Sequence, residues 1–162
     1  MHHHDEKILA FWRRYLATLP EHHPDLTKDF MAWHFGGGDD MADRLVRQVQ
    51  RGQKTATSSL LWVYHADPDK SVSQAGDMHI LLNSAGDPVC IVETTRTDVE
   101  PFSNITEAFA RAEGDGTLEN WREIHTAYFT DVCEKIDREF SEDIPVLCEY
   151  FKLVFNPSLR ET

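Results

Sequence analysis

The sequence predicts an α+β domain, with a sheet able to close into a small barrel flanked by helices. Three observations carry this. Apolar residues recur at helical three- and four-residue spacing in separated segments, two β-branched runs are joined by turn residues, and a late run is apolar on both faces of a pleat. The 162 residues suit one domain and can bury a core without disulfide or metal staples.

The first helix spans residues 5–19, with Ile8, Leu9, Trp12, Tyr15, Leu16 and Leu19 in step, Asp5 as cap and Pro20 as stop. A turn at EHHP leads to an apolar stretch from Phe30 to Phe35, broken by Gly36, Gly37 and Gly38. Residues 40–51 form a second helix, with Met41, Leu45, Val46 and Val49 on one side. Arg44, Arg47 and Arg51 make a stripe on it, and Gly52 is its natural C-terminal cap.

A short extended piece follows at 55–57, then a helical turn from about Ser58. Met78–Asn83 and Val89–Thr97 read as a hairpin around NSAGDP. Ser103 opens a helix that ends near Gly114, and the loop EGDG leads to a longer one over 117–138. Thr117 caps that helix, and Trp121, Ile124, Tyr128, Val132 and Ile136 are expected to face inward. Val146–Phe155, apolar on both faces, suits a central strand.

A hydrophobic content of 41% excludes wholesale disorder. No apolar run reaches the roughly 18 residues of a membrane helix. The opening MHHHDEKILAFW lacks a signal-peptide pattern, so a soluble cytoplasmic protein without membrane partners is expected. His2, His3 and His4 are set aside as a tag-like tract. Cys90, Cys133 and Cys148 form no C-x-x-C pair, which argues for buried thiols rather than a zinc site, and no metal ligands are assigned.

The net charge of −12 is unevenly placed. Residues 1–54 carry 8 acidic and 8 basic side chains, whereas 98–149 carry 14 acidic and 4 basic, a net of −10. A protein that grips many phosphates should be basic, so duplex DNA is excluded as a partner. A nucleoside or a short single-stranded RNA remains compatible, because the arginine stripe and Lys54 lie in the neutral third.

Gly36–Asp40 precedes a helix, but its two aspartates occupy the place of an anion and complement the helix dipole themselves. No phosphate-loop, dinucleotide, serine-hydrolase or zincin motif is present. More informative is Arg51-Gly52-Gln53-Lys54-Thr55-Ala56-Thr57-Ser58-Ser59, a lysine among hydroxyls after a helix end. Lysine beside threonine offers a base and a nucleophile, although turn hydroxyls and a solvated lysine explain the same pattern. Glu93 shares a strand face with Val89 and Ile91, where a carboxylate needs a partner. Trp121 and His125 share a helix face beside Arg122, as a base-holding surface or as a seam with a hydrogen-bonded core histidine.

In this order the segments resemble the ASCH domain, the ASC-1 homology domain, in its longer bacterial form. The resemblance runs through Trp33-His34-Phe35-Gly36, Ala42-Asp43-Arg44-Leu45, Gly52 to Trp62, Gly76-Asp77 and Val92-Glu93-Thr94-Thr95. It continues through Glu113-Gly114-Asp115-Gly116, Trp121 to His125 and Pro145 to Glu149.

The resemblance implies a PUA-like barrel over 28–157, preceded by a helix and loop at 1–27 and followed by a tail at 158–162. It also implies a cleft associated with RNA. One branch of the family hydrolyses the acetyl amide of N4-acetylcytidine without a cofactor. Its G-x-K-x-x-T run falls here on Gly52 to Thr57, which implies Lys54 as base, Thr57 as nucleophile and Glu93 as the positioning carboxylate. Arg44, Arg47, Arg51, Thr55, Ser58, Trp62, Trp121, Arg122 and His125 would then contact substrate. The alternatives are a single-stranded RNA-binding module without catalysis, and a metal-dependent ribonuclease, the one reading that calls for magnesium.

One physical difficulty attends the amidohydrolase reading. Free lysine holds its proton to about pH 10.4, and a partner carboxylate reinforces that hold. Residues i and i+3 also face opposite sides of a regular strand, so a bend between Lys54 and Thr57 is required.

Overall fold

The computed structural model describes residues 5–157; the histidine tract and the 158–162 tail lie outside them. The architecture is mixed α+β. The described chain divides into two compact units, each gathered from separate stretches. One comprises the residues up to Gly52, Gly76–Thr94 and those from Lys152; the other comprises Gln53–Ala75 and Thr95–Phe151.

In the first unit, α1 (Glu6–Leu16) is capped by Asp5, whose carboxylate accepts the N–H groups of Lys7 and Ile8. It buries Ile8, Phe11, Trp12 and Tyr15, the stripe expected from their spacing. Strand β1 (Met31–Trp33) pairs in parallel with β3 (Met78–Leu82), which pairs antiparallel with β4 (Pro88–Pro101). The α1 stripe packs with Phe30, Met78, Ile80, Leu82 and Ile91 into one core.

Tyr15 donates to Asp25 at 2.5 Å, and Lys28 closes on the same carboxylate at 2.9 Å. Helix α2 (Asp39–Gln50) buries Ala42, Val46 and Val49 and leaves Arg44 and Arg47 exposed, with Arg51 exposed just beyond it. Ahead of it, Gly37 has φ +95°, and a Cβ there would meet the Met41 Cγ at 2.9 Å, so glycine is required.

In the second unit, β2 (Ala56–Leu60) pairs antiparallel with β5 (Pro145–Phe155), from Ala56 opposite Tyr150 to Leu60 opposite Val146. The expected helical turn at Ser58 is therefore displaced. The extended run continues to Leu60, held by this pairing, and α3 (Leu61–Ala66) starts after it. Strand β5 lies between β4 and β2, and consecutive residues Val146–Glu149 are all buried, which is the central strand that its two apolar faces predict.

Helix α4 (Glu107–Glu113) is capped by Thr106 rather than opened at Ser103, because Phe102–Asn104 forms a separate 3-10 turn. Helix α5 (Leu118–Lys135) is capped by Thr117 as expected. Its inward face agrees with expectation at Trp121, and Val132 and Ile136 pack half-buried against the core, but it differs at Ile124 and Tyr128. Trp121, His125, Phe129 and Cys133 are buried, whereas Ile124 and Tyr128 are 41% and 44% exposed. Two neighbouring stripes compete on this helix, and the one carrying an imidazole goes inside because its polar atoms find partners there. Phe102, Phe109, Trp121, Phe129, Ile144 and Val146 form the core of this unit. All three cysteines are buried and free, as their spacing predicts. Among the described residues, no helix is long and apolar enough to cross a membrane.

Candidate active site

Lys54 precedes β2, and the next residue, Thr55, is held by backbone bonds on both of its sides. The Thr55 N–H donates to the Ala112 carbonyl at 2.7 Å, and the Thr55 carbonyl accepts the Phe151 N–H at 3.0 Å. These bonds pin the segment between the end of α4 and β5. Gly114 terminates α4 in the left-handed conformation, φ +95°. Glu113, the last helical residue, thereby directs its side chain inward, where it is 4% exposed.

Four side chains converge on that carboxylate. Lys54, itself 2% exposed, places Nζ 3.3 Å from Oε2 and 3.2 Å from the Glu113 carbonyl. The other oxygen, Oε1, accepts from Trp121 Nε1 at 2.8 Å and from the Ser58 hydroxyl, and stands 3.3 Å from His125 Nε2. The His125 ring lies flat on Trp121, 4.2 Å between centroids and 15° between planes. Its Nδ1 donates to the Trp121 carbonyl at 2.9 Å and lies 3.7 Å from Asp115 Oδ2. Both imidazole nitrogens therefore face acceptors, an arrangement that suits the doubly protonated ring.

The electrostatics follow this geometry. Burial pushes the Glu113 carboxyl up, but the Lys54 charge, the bond and charge of His125 and the Ser58 bond together bring it down to about 2. Burial pushes His125 down, yet the bond to Glu113 and its charge, the Trp121 carbonyl and Asp115 raise it above the ordinary histidine value. Glu113 is thus a carboxylate at neutral pH. So low a pKa makes it a poor proton acceptor, so it orients and balances its neighbours.

Glu113, Asp115 and His125 each offer a ligand atom within 4.8 Å of the others. The set does not fit a metal. Both Glu113 oxygens already face donors, and one faces the Lys54 ammonium, which would repel a cation. Magnesium in particular needs six oxygen ligands, several of them water, which a buried imidazole and its partners do not offer.

The residues singled out by sequence fall in different places. Lys54, Ser58, Trp121 and His125 come together around Glu113. Thr57 is half-buried on β2 opposite Glu149, next to Ser58, and Thr55 is exposed. Because β2 begins at Ala56, Lys54 lies outside the strand; within it Thr57 and Ser58 alternate, and it is the Ser58 hydroxyl that reaches Glu113. Trp121 is fully buried and one face is taken by His125, so it cannot stack on a base as a surface ring would; its indole N–H positions Glu113 instead.

Arg122 is exposed on α5, and Trp62 is half-buried on α3 with the Arg138 guanidinium 4.5 Å over its ring. Arg44, Arg47 and Arg51 belong to the first unit. So does Glu93, half-buried opposite Met78 and close enough to Tyr15 to act on its phenol. The carboxylate at Lys54 is Glu113. The signal for it was present in the acidic Glu113-Gly114-Asp115-Gly116 turn, but nothing in spacing alone joins residues 54 and 113.

A search of the curated proteins finds no match. Two solved structures are similar over nearly their whole length. An ASCH domain from Lactobacillus crispatus JV V101 is 27% identical, with TM-score 0.87 over 94% of this chain and 96% of that one. A protein of Enterococcus faecalis V583 is 28% identical, with TM-score 0.80 over 97% and 98%. The family model described as the ASCH domain matches residues 31–155. With the hydroxyl run, the Glu-Gly-Asp-Gly turn and the Trp121–His125 stretch all inside that match, the chain belongs to the ASCH domain family.

Proposed function

We propose that this ASCH domain binds a nucleoside or short single strand and hydrolyses the N4-acyl amide of a modified cytidine at Lys54. The observation that carries the reading is the buried Lys54–Glu113 pair with the Ser58 hydroxyl on the same carboxylate, one residue from Thr57 on β2. In this reading Glu113 replaces Glu93 as the positioning carboxylate. Substrate entry must open the pair, since both partners are buried, 2% and 4% exposed.

With the pair opened, Lys54 first releases one proton to water; its neutral Nζ then takes the proton of Thr57 Oγ1, which attacks the acyl carbon. Lys54 returns that proton to N4 as the C–N bond breaks, and the cytidine leaves. Water then cleaves the acyl-threonine ester, releasing the carboxylic acid and restoring Thr57.

The test is incubation with a panel of N4-acylated cytidines, with cytidine and free acid read by mass spectrometry. Turnover should fall by at least about a hundredfold in Lys54→Ala and Thr57→Ala and survive in Glu93→Gln. Unchanged turnover in Lys54→Ala refutes the assignment, and so does failure of the wild type to consume any of the panel.

A second reading, binding without turnover, is supported by the exposed Arg44, Arg47 and Arg51 stripe on and after α2. It predicts salt-dependent association with a short single-stranded RNA. Charge reversal at Arg47 and Arg51 should weaken that association; if it does not, the binding reading fails.

A further inference from the structure

We propose that Tyr128, with Tyr64 beside it, is the nucleobase-stacking face at the entrance to the Lys54–Glu113–His125 cluster. This rests on the nucleoside reading above and names the residues that would recognise the base.

The cluster is buried, with His125 its most exposed member at 7%, so a ligand first meets what lies at its edge. On α5 the inward stripe is complete without Tyr128, which follows His125 by three residues and keeps 44% of its surface in water. Its ring stands edge-on to the imidazole, 6.4 Å between centroids and 87° between planes. Ile124 is also exposed on this helix, but Tyr128 is the exposed aromatic side chain against His125.

Tyr64 reaches the same place from another element. It sits on α3, which continues directly from the hydroxyl run of β2, and its hydroxyl accepts from Ser59 Oγ at 3.4 Å. The two phenols are close enough to act on each other. Burial of the hydroxyl end raises Tyr128 first, and Tyr64 and Glu113 raise it further. A tyrosine that is 44% exposed and edge-on to the buried imidazole is suited to hold a planar base over the site. Every base has a π-face, so such a platform binds without strong base preference.

The experiment measures cytidine and uridine binding by calorimetry, and N4-acetylcytidine kinetics, for the wild type, Tyr128→Phe and Tyr128→Leu. Tyr128→Phe keeps the ring and should bind within about twofold of wild type. Tyr128→Leu should bind both nucleosides roughly ten- to a hundredfold more weakly, with the kinetic loss falling on KM. Circular dichroism checks folding, which the exposure of residue 128 favours.

Equal binding of cytidine by wild type and Tyr128→Leu overturns the stacking face. So does a Tyr128→Phe loss as large as that of Tyr128→Leu, which would assign the hydroxyl rather than the ring, and so does a wild type that binds neither nucleoside. Binding that needs Tyr128, without turnover of the acylated cytidine, refutes amide hydrolysis and leaves the stacking face standing. Turnover with KM unchanged in Tyr128→Leu does the reverse.

Discussion

Replacing Glu113 by glutamine keeps the size of the side chain and removes the negative charge between Lys54 and His125. Two routes give the magnitude. Removing one member of a buried ion pair leaves the other uncompensated, which costs about 3–5 kcal/mol. Independently, a carboxyl lowered from 4.5 to about 2 in the folded state contributes about 3 kcal/mol at neutral pH.

The folded-state value is depressed, so this stability is fully present above pH 4.5 and is lost as pH falls towards 2. Urea denaturation of wild type and Glu113→Gln should show a gap of about 3 kcal/mol at pH 7 that closes between pH 4.5 and 2. A protonated Glu113 and a glutamine are then nearly equivalent. The double variant Lys54→Met with Glu113→Gln should recover most of the loss, because no unpaired ion remains. A gap below about 1 kcal/mol at pH 7, or one unchanged at pH 3, would refute the account of Glu113 as a carboxylate held by cations.

Three further outcomes are expected. Phe129→Ala should cost about 3–5 kcal/mol and Ile124→Lys less than about 0.5, measured by denaturation; the reverse order would mean that the inward face of α5 is misassigned. The His125 imidazole, followed by NMR, should titrate above 6.5, because its pKa is raised in the folded state. Its contribution to stability is then complete below pH 6.5 and lost as pH rises through the folded value. A midpoint below 6.5 would show that burial outweighs Glu113. Tyr15→Phe removes the 2.5 Å bond to Asp25 and should cost about 1.5–3 kcal/mol in urea denaturation. A loss under about 0.5 kcal/mol would mean that Lys28 alone satisfies the carboxylate.

Local rules made much of the fold legible. Asp5 and Thr117 cap the helices that their positions announce, and Gly114 ends α4. The hairpin and the central strand follow from β-branched runs and their turn. The errors occur where two local solutions were nearly equal. On α5 the Ile124–Tyr128 stripe is more apolar than the His125 stripe, and propensity alone favours burying it. After Lys54, hydroxyl residues read equally as strand or as turn, and pairing with β5 settled the matter. The division into two units has no single linker to mark it, because the chain passes between them four times, after Gly52, after Ala75, within β4 and within β5.

The same contrast applies to the site. The sequence by itself determined that a lysine stands among hydroxyls, that the family is ASCH, and that the chain carries a net charge of −12. Only the tertiary structure decided which carboxylate meets the lysine. Glu93 and Glu113 are both plausible by residue type, but hydrogen bonds and ion pairs act over about 3–4 Å, a range that sequence separation does not encode. The close of α4 at Gly114 and the backbone bond from Thr55 to Ala112 bring residue 113 to residue 54. The acidic excess is thereby sharpened as well: one of those carboxylates, buried and held by two cations, lies at the centre of the site.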